Sequence, residues 1–145
     1  MRRLFFSLKV LPALLLVSFL FAFVNKATCQ VSFSITAAVN GNVNTGTFTS
    51  TGFNFSSGSC IEEYSFNGKK THSEVTFTYA DGTITAKTHC DIEITGTTGT
   101  GTGRWTITKG TGAYAGISGS GMLTFSVTGL GTDENIVEEW SGTLK

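Results

Sequence analysis

The sequence has few of the residues that carry metal and nucleophilic chemistry. Of 145 residues, two are histidine and three are cysteine, and only 14% are charged. His72 and His89 have no partner at a spacing typical of a catalytic triad. The cysteines and histidines also lack the close paired spacing of a zinc motif. We therefore expect neither a metal site nor a cofactor, and no triad-type nucleophile.

Proline is almost absent and glycine is abundant, with one and 18 residues respectively. The glycines and the frequent threonines disfavour helices along the whole chain. Apolar and polar residues instead alternate in short segments, which is typical of half-buried β-strands. The composition therefore predicts an all-β fold.

The N-terminal residues have the pattern of an export signal. Three basic residues precede an apolar run of 15 residues, Val10 to Val24, which is short for a membrane span of about 20 residues. Small residues at Ala27 and Cys29 predict cleavage before Gln30. Lipid attachment at Cys29 and an uncleaved anchor stay open as alternatives. Residues 1–29 are thus predicted to be a signal peptide.

The remaining residues, 30–145, are enough for a single domain. This part holds six Lys/Arg and ten Asp/Glu, a net charge of −4. Without a basic patch, binding to nucleic acid or to an anionic membrane surface is not expected. We expect a secreted or periplasmic domain with no stable membrane span after cleavage.

Cleavage would leave two cysteines, Cys60 and Cys90. Such a pair in an exported protein predicts one disulfide bond. Each cysteine lies an even number of residues from inward-facing apolar or aromatic positions of its strand, so the disulfide is expected on the inner face. Closing a loop of about 30 residues would contribute roughly 3–4 kcal/mol in the chain-entropy model.

Eight segments have the alternation of strands. In the second segment, the apolar residues switch from even to odd positions at Gly52, and hence from one face of the strand to the other, which predicts a β-bulge there. Asp81-Gly82 between two alternating runs predicts a hairpin. Eight short antiparallel strands favour a closed up-and-down barrel without edge strands, and a two-sheet sandwich is the alternative. The predicted strands cover about 31–39, 47–55, 60–66, 73–80, 83–95, 102–108, 122–127 and 136–144.

A glycine-rich stretch, Lys109 to Gly119, separates the sixth and seventh segments. A phosphate-binding loop would need a following helix and a Gly-Lys-Ser/Thr motif, whereas a strand follows here. We interpret the stretch as a tightly bent connection, with Tyr114 and Ile117 packing inward as a plug.

The central run contains Gly101-Thr102-Gly103-Arg104-Trp105, then Gly110 to Gly116, then Gly119-Ser120-Gly121. Over about Gly99 to Phe125 it resembles the allene oxide cyclase and dirigent-like β-barrel group, most closely its small exported members, whose function is mostly unassigned. The resemblance implies an eight-stranded antiparallel barrel with a hydrophobic cavity, often oligomeric. The named enzymes of that group cyclise an oxylipin epoxide or guide radical coupling of phenols. No position matches their catalytic residues, so neither activity is implied here.

Two carboxylates, Glu62 and Glu138, fall on the predicted inner face. Burial of a carboxylate raises its pKa, so either residue could act as an acid or base or bind a polar ligand group. Alternatively, both lie in water at the barrel ends while the aromatic residues fill the core. The aromatic candidates for binding an apolar ligand are Tyr64, Phe66, Phe77, Tyr79, Trp105, Tyr114 and Trp140.

Three functions remain open from the sequence. The favoured one is binding of a small apolar or amphipathic molecule without catalysis, because candidate catalytic groups are few. The second is a cyclase or isomerase that uses Glu62 or Glu138 for proton transfer. The third is a structural or adhesive surface protein that acts through its outer face or as a homo-oligomer.

Overall fold

The computed structural model describes residues 29–145, so the predicted signal peptide lies outside the described residues except for Cys29. Eight antiparallel strands form a closed barrel in which each strand pairs with its neighbours in the sequence, and the last pairs with the first. This confirms the predicted barrel over the two-sheet sandwich. The strands are β1 Cys29–Asn40, β2 Val43–Thr51, β3 Ser57–Phe66, β4 Lys70–Tyr79, β5 Gly82–Thr95, β6 Thr98–Gly110, β7 Gly119–Thr128 and β8 Asn135–Leu144.

The alternation read from the sequence becomes the inside and outside of the barrel. In β1, Val31, Phe33, Ile35 and Ala37 are buried, and in β7 Leu123, Phe125 and Val127 are buried. Successive side chains of a strand point to opposite faces, so one apolar parity fills the interior. Within residues 29–145, no helix has the length and apolar character needed to cross a bilayer.

The second strand lies earlier in the chain than predicted. β2 ends at Thr51, and Gly52 has a φ of 83°, a conformation that favours glycine. The parity change at Gly52 therefore marks the end of a strand, and the predicted bulge there is wrong. A register shift occurs elsewhere, between Thr85 and Ala86 in the pairing of β5 with β6.

Aromatic side chains fill one half of the barrel interior, which we call the closed half. Phe33 stacks on Phe77 with ring centroids 4.5 Å apart, and Trp105 stacks on Trp140 at 5.8 Å. The Trp105 indole Nε1 donates hydrogen bonds to two backbone oxygens, at 3.1 and 3.2 Å. Burial of these large rings makes this half a solid core.

The glycine-rich connection between β6 and β7 covers the outer end of the closed half. It contains a short 3-10 turn, Gly112–Tyr114. Tyr114 is buried against Tyr79 and Phe53, at centroid distances of 4.8 and 6.0 Å. Ile117 packs beside the same core. This is the plug that the sequence predicted.

The predicted disulfide is wrong, because Cys60 and Cys90 are both free thiols buried in the barrel. Cys60 lies opposite Phe77 on β4, which in turn lies opposite Ile84 on β5. Cys90 is six residues farther along β5, roughly 20 Å at the usual rise per residue. A disulfide requires Cα atoms within about 7 Å. The alternation of residues correctly put both cysteines on the inner face. It gave no information on how far apart they lie along the barrel axis.

Candidate functional site

The other half of the interior, which we call the open half, contains a cavity of about 100 Å³. It lies at the end of the barrel that carries the β1–β2, β3–β4, β5–β6 and β7–β8 connections. The Tyr114 plug is at the opposite end. The cavity is therefore blocked on one side by the aromatic core and reached from the other.

Three inward glycines on β6 explain why this half is not filled. Gly99, Gly101 and Gly103 occupy the same parity as Trp105, which is buried in the closed half. A Cβ atom at Gly101 would meet the ring of Phe125, and one at Gly103 would meet Cys90 Sγ. Neighbouring side chains thus pack directly on the bare β6 backbone. Three inward positions of the open half therefore contribute no side chain to the interior.

Glu62 and Glu138 both line this cavity. Glu62 is on β3 and Glu138 on β8, and β1 and β2 lie between these strands in the barrel wall, so the two carboxyl groups meet across the interior. Asn44 Nδ2 donates to Glu62 Oε2 at 2.6 Å, and Trp140 Nε1 donates to Glu138 Oε2, also at 2.6 Å. The sequence left open whether these glutamates lie in water at opposite ends, and the structure brings them together.

Glu138 has a strongly perturbed environment, with only 3% of its surface exposed. Burial raises the pKa of Glu138 well above its usual range, and the charge of Glu62 and a hydrogen bond between the two carboxyl groups raise it further. The indole N–H of Trp140 opposes this rise in the pKa in part. A pair of close carboxyls shares a proton rather than holding two negative charges.

Asn44 is a site residue that the sequence analysis missed. It is 4% exposed, and its Oδ1 atom is buried without a hydrogen-bond partner. Most buried polar atoms in native proteins are paired, so an unpaired acceptor on a residue that lines the cavity is informative. Asn44 lies directly opposite Glu62 in the pairing of β2 with β3. The signal in the sequence was an asparagine at an inward-facing position of a strand. It could not be recognised because the predicted second strand began after Asn44.

The seven aromatic candidates separate into two groups. Tyr64 and Phe66 line the cavity. The other five belong to the closed half or its plug and do not line it: Phe77, Tyr79, Trp105, Tyr114 and Trp140. They pack against one another because their large rings fill that half. Four more lining residues from the last strands were not among the candidates identified from the sequence: Leu123, Phe125, Val127 and Ile136.

The mouth of the cavity carries apolar side chains that remain partly in water. Phe66 is 45% exposed and Ile94 is 47% exposed. The β7–β8 connection adds Leu130 and Glu134 to the lining, and one carboxylate oxygen of Glu134 accepts a hydrogen bond from the Gly131 N–H at 2.8 Å. The rim is thus apolar with one acidic group.

The buried cysteines are poor nucleophiles. Cys90 lines the cavity, and burial raises the pKa of its thiol to about 11. Burial raises the pKa of Cys60 to about 12. The reactive form of cysteine is the thiolate, so neither thiol is suited to covalent chemistry.

The two histidines lie on the outer face, away from the cavity. His72 and His89 are opposite each other on β4 and β5 and touch through their Nδ1 atoms. Among residues 29–145, no three His, Cys, Asp or Glu side chains are grouped to hold a metal ion.

Comparisons with known proteins leave the function to be argued from this site. No family model, curated protein or solved structure matches the chain.

Proposed function

We propose that this protein binds a small amphipathic molecule in the open half of its barrel. The observation that carries the proposal is a cavity whose wall is mainly apolar and whose interior holds two carboxyl groups, Glu62 and Glu138. Pockets of this composition bind an apolar body and orient it through a few polar groups. The rigid barrel around the cavity would hold these groups in place before a ligand arrives.

The size of the cavity limits the ligand. Its volume of about 100 Å³ is smaller than the roughly 150 Å³ apolar cavity that accommodates benzene in an engineered protein. We therefore expect at most one ring or a short chain inside the barrel. Any larger portion of the ligand would lie at the mouth against Phe66 and Ile94.

Two matched variants test the binding site. Val127 is buried and lines the cavity, whereas Val137 is exposed on the outer face of β8. Val127→Phe should fill the cavity and abolish binding of single-ring compounds such as benzyl alcohol, as measured by NMR titration. Val137→Phe should leave binding unchanged. If the unmodified protein gives no shifts at lining residues such as Leu123 and Ile136, the proposal is wrong.

A proton-transfer enzyme is the second candidate, because the cavity contains a buried carboxyl group beside a second one. The pKa of Glu138 is raised chiefly by burial, which is how enzymes adapt a carboxyl group to act as an acid near neutral pH. An isomerase or cyclase of the allene oxide cyclase-like class would use Glu138 or Glu62 in this way. For a substrate that is turned over, Glu138→Gln should lower kcat by at least about 100-fold with KM little changed. A KM effect alone would support binding without catalysis.

The outer face offers less support for a structural or adhesive role. The exposed apolar side chains of Ile61, Met122 and Val137 each lie directly between polar residues on both neighbouring strands. For example, Met122 is flanked by Arg104 and Ser141. Homo-oligomerisation, which analytical ultracentrifugation would detect, is part of this third proposal.

Export belongs to the proposal as well. A cleavable leader of residues 1–29 would deliver the barrel outside the cytoplasm, where it would meet ligands from the environment or the cell envelope. Mass spectrometry of the native protein should find Gln30 as the first residue and would detect a lipid on Cys29 or a co-purified ligand in the same experiment.

A further inference from the structure

We propose that the ligand is a small organic cation whose ammonium group binds between Glu62, Glu138 and Asn44. This inference rests on the proposed function and adds the chemical class of the ligand's polar end. The apolar remainder of the ligand, one ring or a short chain, would point toward the mouth.

Hydrogen-bonding capacity at the site is the first argument. Asn44 Oδ1 is a buried acceptor without a partner, and the two glutamates add further acceptor oxygens. The protein groups that donate hydrogen bonds to these glutamates are already used: Asn44 Nδ2 donates to Glu62, and Trp140 Nε1 donates to Glu138. The hydroxyl of Tyr64 donates to the Gly41 carbonyl at 2.9 Å. An ammonium group brings three donors and no acceptor, whereas a carboxylate or phosphate brings acceptors only.

Charge is the second argument. Three carboxyl groups line the cavity, from Glu62, Glu134 and Glu138, and the lining formed by residues 29–145 contains no lysine, arginine or histidine. If Glu62 and Glu138 share one proton, the pair carries a single negative charge that one ammonium group neutralises. The attraction is strong because Glu138 is almost fully shielded from water. Glu134 at the rim would favour the approach of cations.

The apolar wall is the third argument. Tyr64, Phe66 and Phe125 contribute aromatic rings to the lining, and aromatic faces attract organic cations as well as apolar groups. A bare metal ion would leave most of this wall without a partner. The combination therefore favours an amine that carries an apolar group over an inorganic cation.

A matched series of ligands tests the charge preference. Benzylamine, benzyl alcohol and benzoate share one ring and differ in the charge of the polar end. Calorimetric titration of the purified protein at neutral pH should give a dissociation constant for benzylamine at least about tenfold lower than that for benzyl alcohol, and benzoate should bind least. Equal or tighter binding of the alcohol would overturn the inference and leave the proposed function standing. Absence of binding by all three would overturn both.

Variants of the two glutamates identify the site. Glu62→Gln should weaken benzylamine binding by at least about tenfold and leave benzyl alcohol binding within about twofold, because it removes the negative charge of the pair while burial favours the neutral form of Glu138. The control is Glu63→Gln, because Glu63 is exposed on the outer face. Glu138→Gln leaves the single negative charge on Glu62 and should therefore weaken benzylamine binding less than Glu62→Gln does, with the exposed Glu139→Gln as its control. Unchanged benzylamine affinity in a folded Glu62→Gln variant would contradict the proposal.

Discussion

The two halves of the barrel are built from the same eight strands but differ in what points inward. In the closed half the inward positions carry large rings, such as Phe77, which is 0% exposed, and Trp105, which is 1% exposed. In the open half β6 contributes Gly99, Gly101 and Gly103 instead. One half is therefore a solid core and the other a cavity of about 100 Å³. The packed core and the cavity are thus separated along the barrel axis.

The polar groups of the two halves differ as well. In the closed half the Trp105 N–H donates to backbone oxygens, and the Tyr79 hydroxyl is paired with Ser50 at 3.0 Å. Buried polar atoms without a partner occur in both halves: Asp81 Oδ1 and the Tyr114 hydroxyl near the plug, and Asn44 Oδ1 in the open half. The open half differs in that Glu138 is buried beside another carboxyl group. Buried groups that destabilise a fold are most often found where a ligand or a reaction uses them. The buried carboxyl pair therefore makes the open half the candidate site.

The largest expected difference between the halves is in their contribution to stability. Phe77→Ala should lower the free energy of unfolding by about 3–5 kcal/mol, because it leaves a void in a packed core. Phe66→Ala removes the same side chain at the mouth, where 45% of it is exposed, and should change stability by less than about 0.5 kcal/mol. Urea unfolding of both variants measures this. Similar losses would mean that the open half is packed like the core.

A methyl group on the bare β6 backbone is the next test. Gly101→Ala places a Cβ against the Phe125 ring and the Asp91 carbonyl, which should cost about 1–3 kcal/mol by overpacking. Thr100→Ala, on the outer face of the same strand, should have little effect. Thermal unfolding provides the comparison. A neutral Gly101→Ala would show that the inward glycines are not required for close packing.

The pH dependence of stability should come from the open half. A carboxyl group whose pKa is raised on folding binds more protons in the native state, so the free energy of unfolding falls as pH rises above the group's usual pKa of 4.5. As pH rises from about 5 through the neutral range, the protein should therefore lose stability, which urea unfolding at several pH values measures. Glu138→Gln should flatten this dependence, and Glu139→Gln should retain it.

The groups facing Glu138 do not alter that expectation. Glu62 is part of the same carboxyl pair and Glu134 lies at the rim, while the thiols of Cys60 and Cys90, with pKa values raised by burial to about 12 and about 11, remain protonated in this range. A wild-type protein whose stability rises with pH over the same range would contradict the assignment of a raised pKa to Glu138.

The smallest expected effect concerns reduction. Because Cys60 and Cys90 are free and buried, a reducing agent should leave the midpoint of thermal unfolding unchanged. Both thiols should react with an alkylating reagent after unfolding and remain protected in the native protein, as mass spectrometry would show. A large drop in the unfolding midpoint on reduction would restore the disulfide prediction.

Much of the wall could be predicted from the sequence, because alternation is a local property. Asp81-Gly82 predicted the β4–β5 hairpin, and the structure joins those strands through Ala80 and Asp81. The position of β2 was mispredicted for a local reason as well. Phe53 and Phe55 are apolar and follow Gly52, so the strand was extended through them, although it ends at Thr51. Phe53 instead packs on Phe33 from the following bend, with centroids 5.2 Å apart.

The site was only partly predictable. The alternation of residues identified Glu62 and Glu138 as inward, but it does not give a residue's position along the barrel axis. For that reason Cys60 and Cys90 were wrongly joined, and the meeting of the two glutamates was left open. The relative position of two residues along the barrel axis depends on the register of every pair of strands between them. The cross-strand register places Asn44 opposite Glu62 and sets how far Cys60 lies from Cys90.

By itself the sequence determined most of the strands and their inner faces, because side chains that alternate in polarity can be buried on only one face of a strand. It favoured a closed sheet but left a two-sheet sandwich open. The tertiary structure decided which inward residues meet. Contacts across a barrel join positions that are far apart in the chain, and the strand registers that bring Glu62 to Glu138 are fixed only when all eight strands are paired. The closed core and the open cavity are products of that pairing.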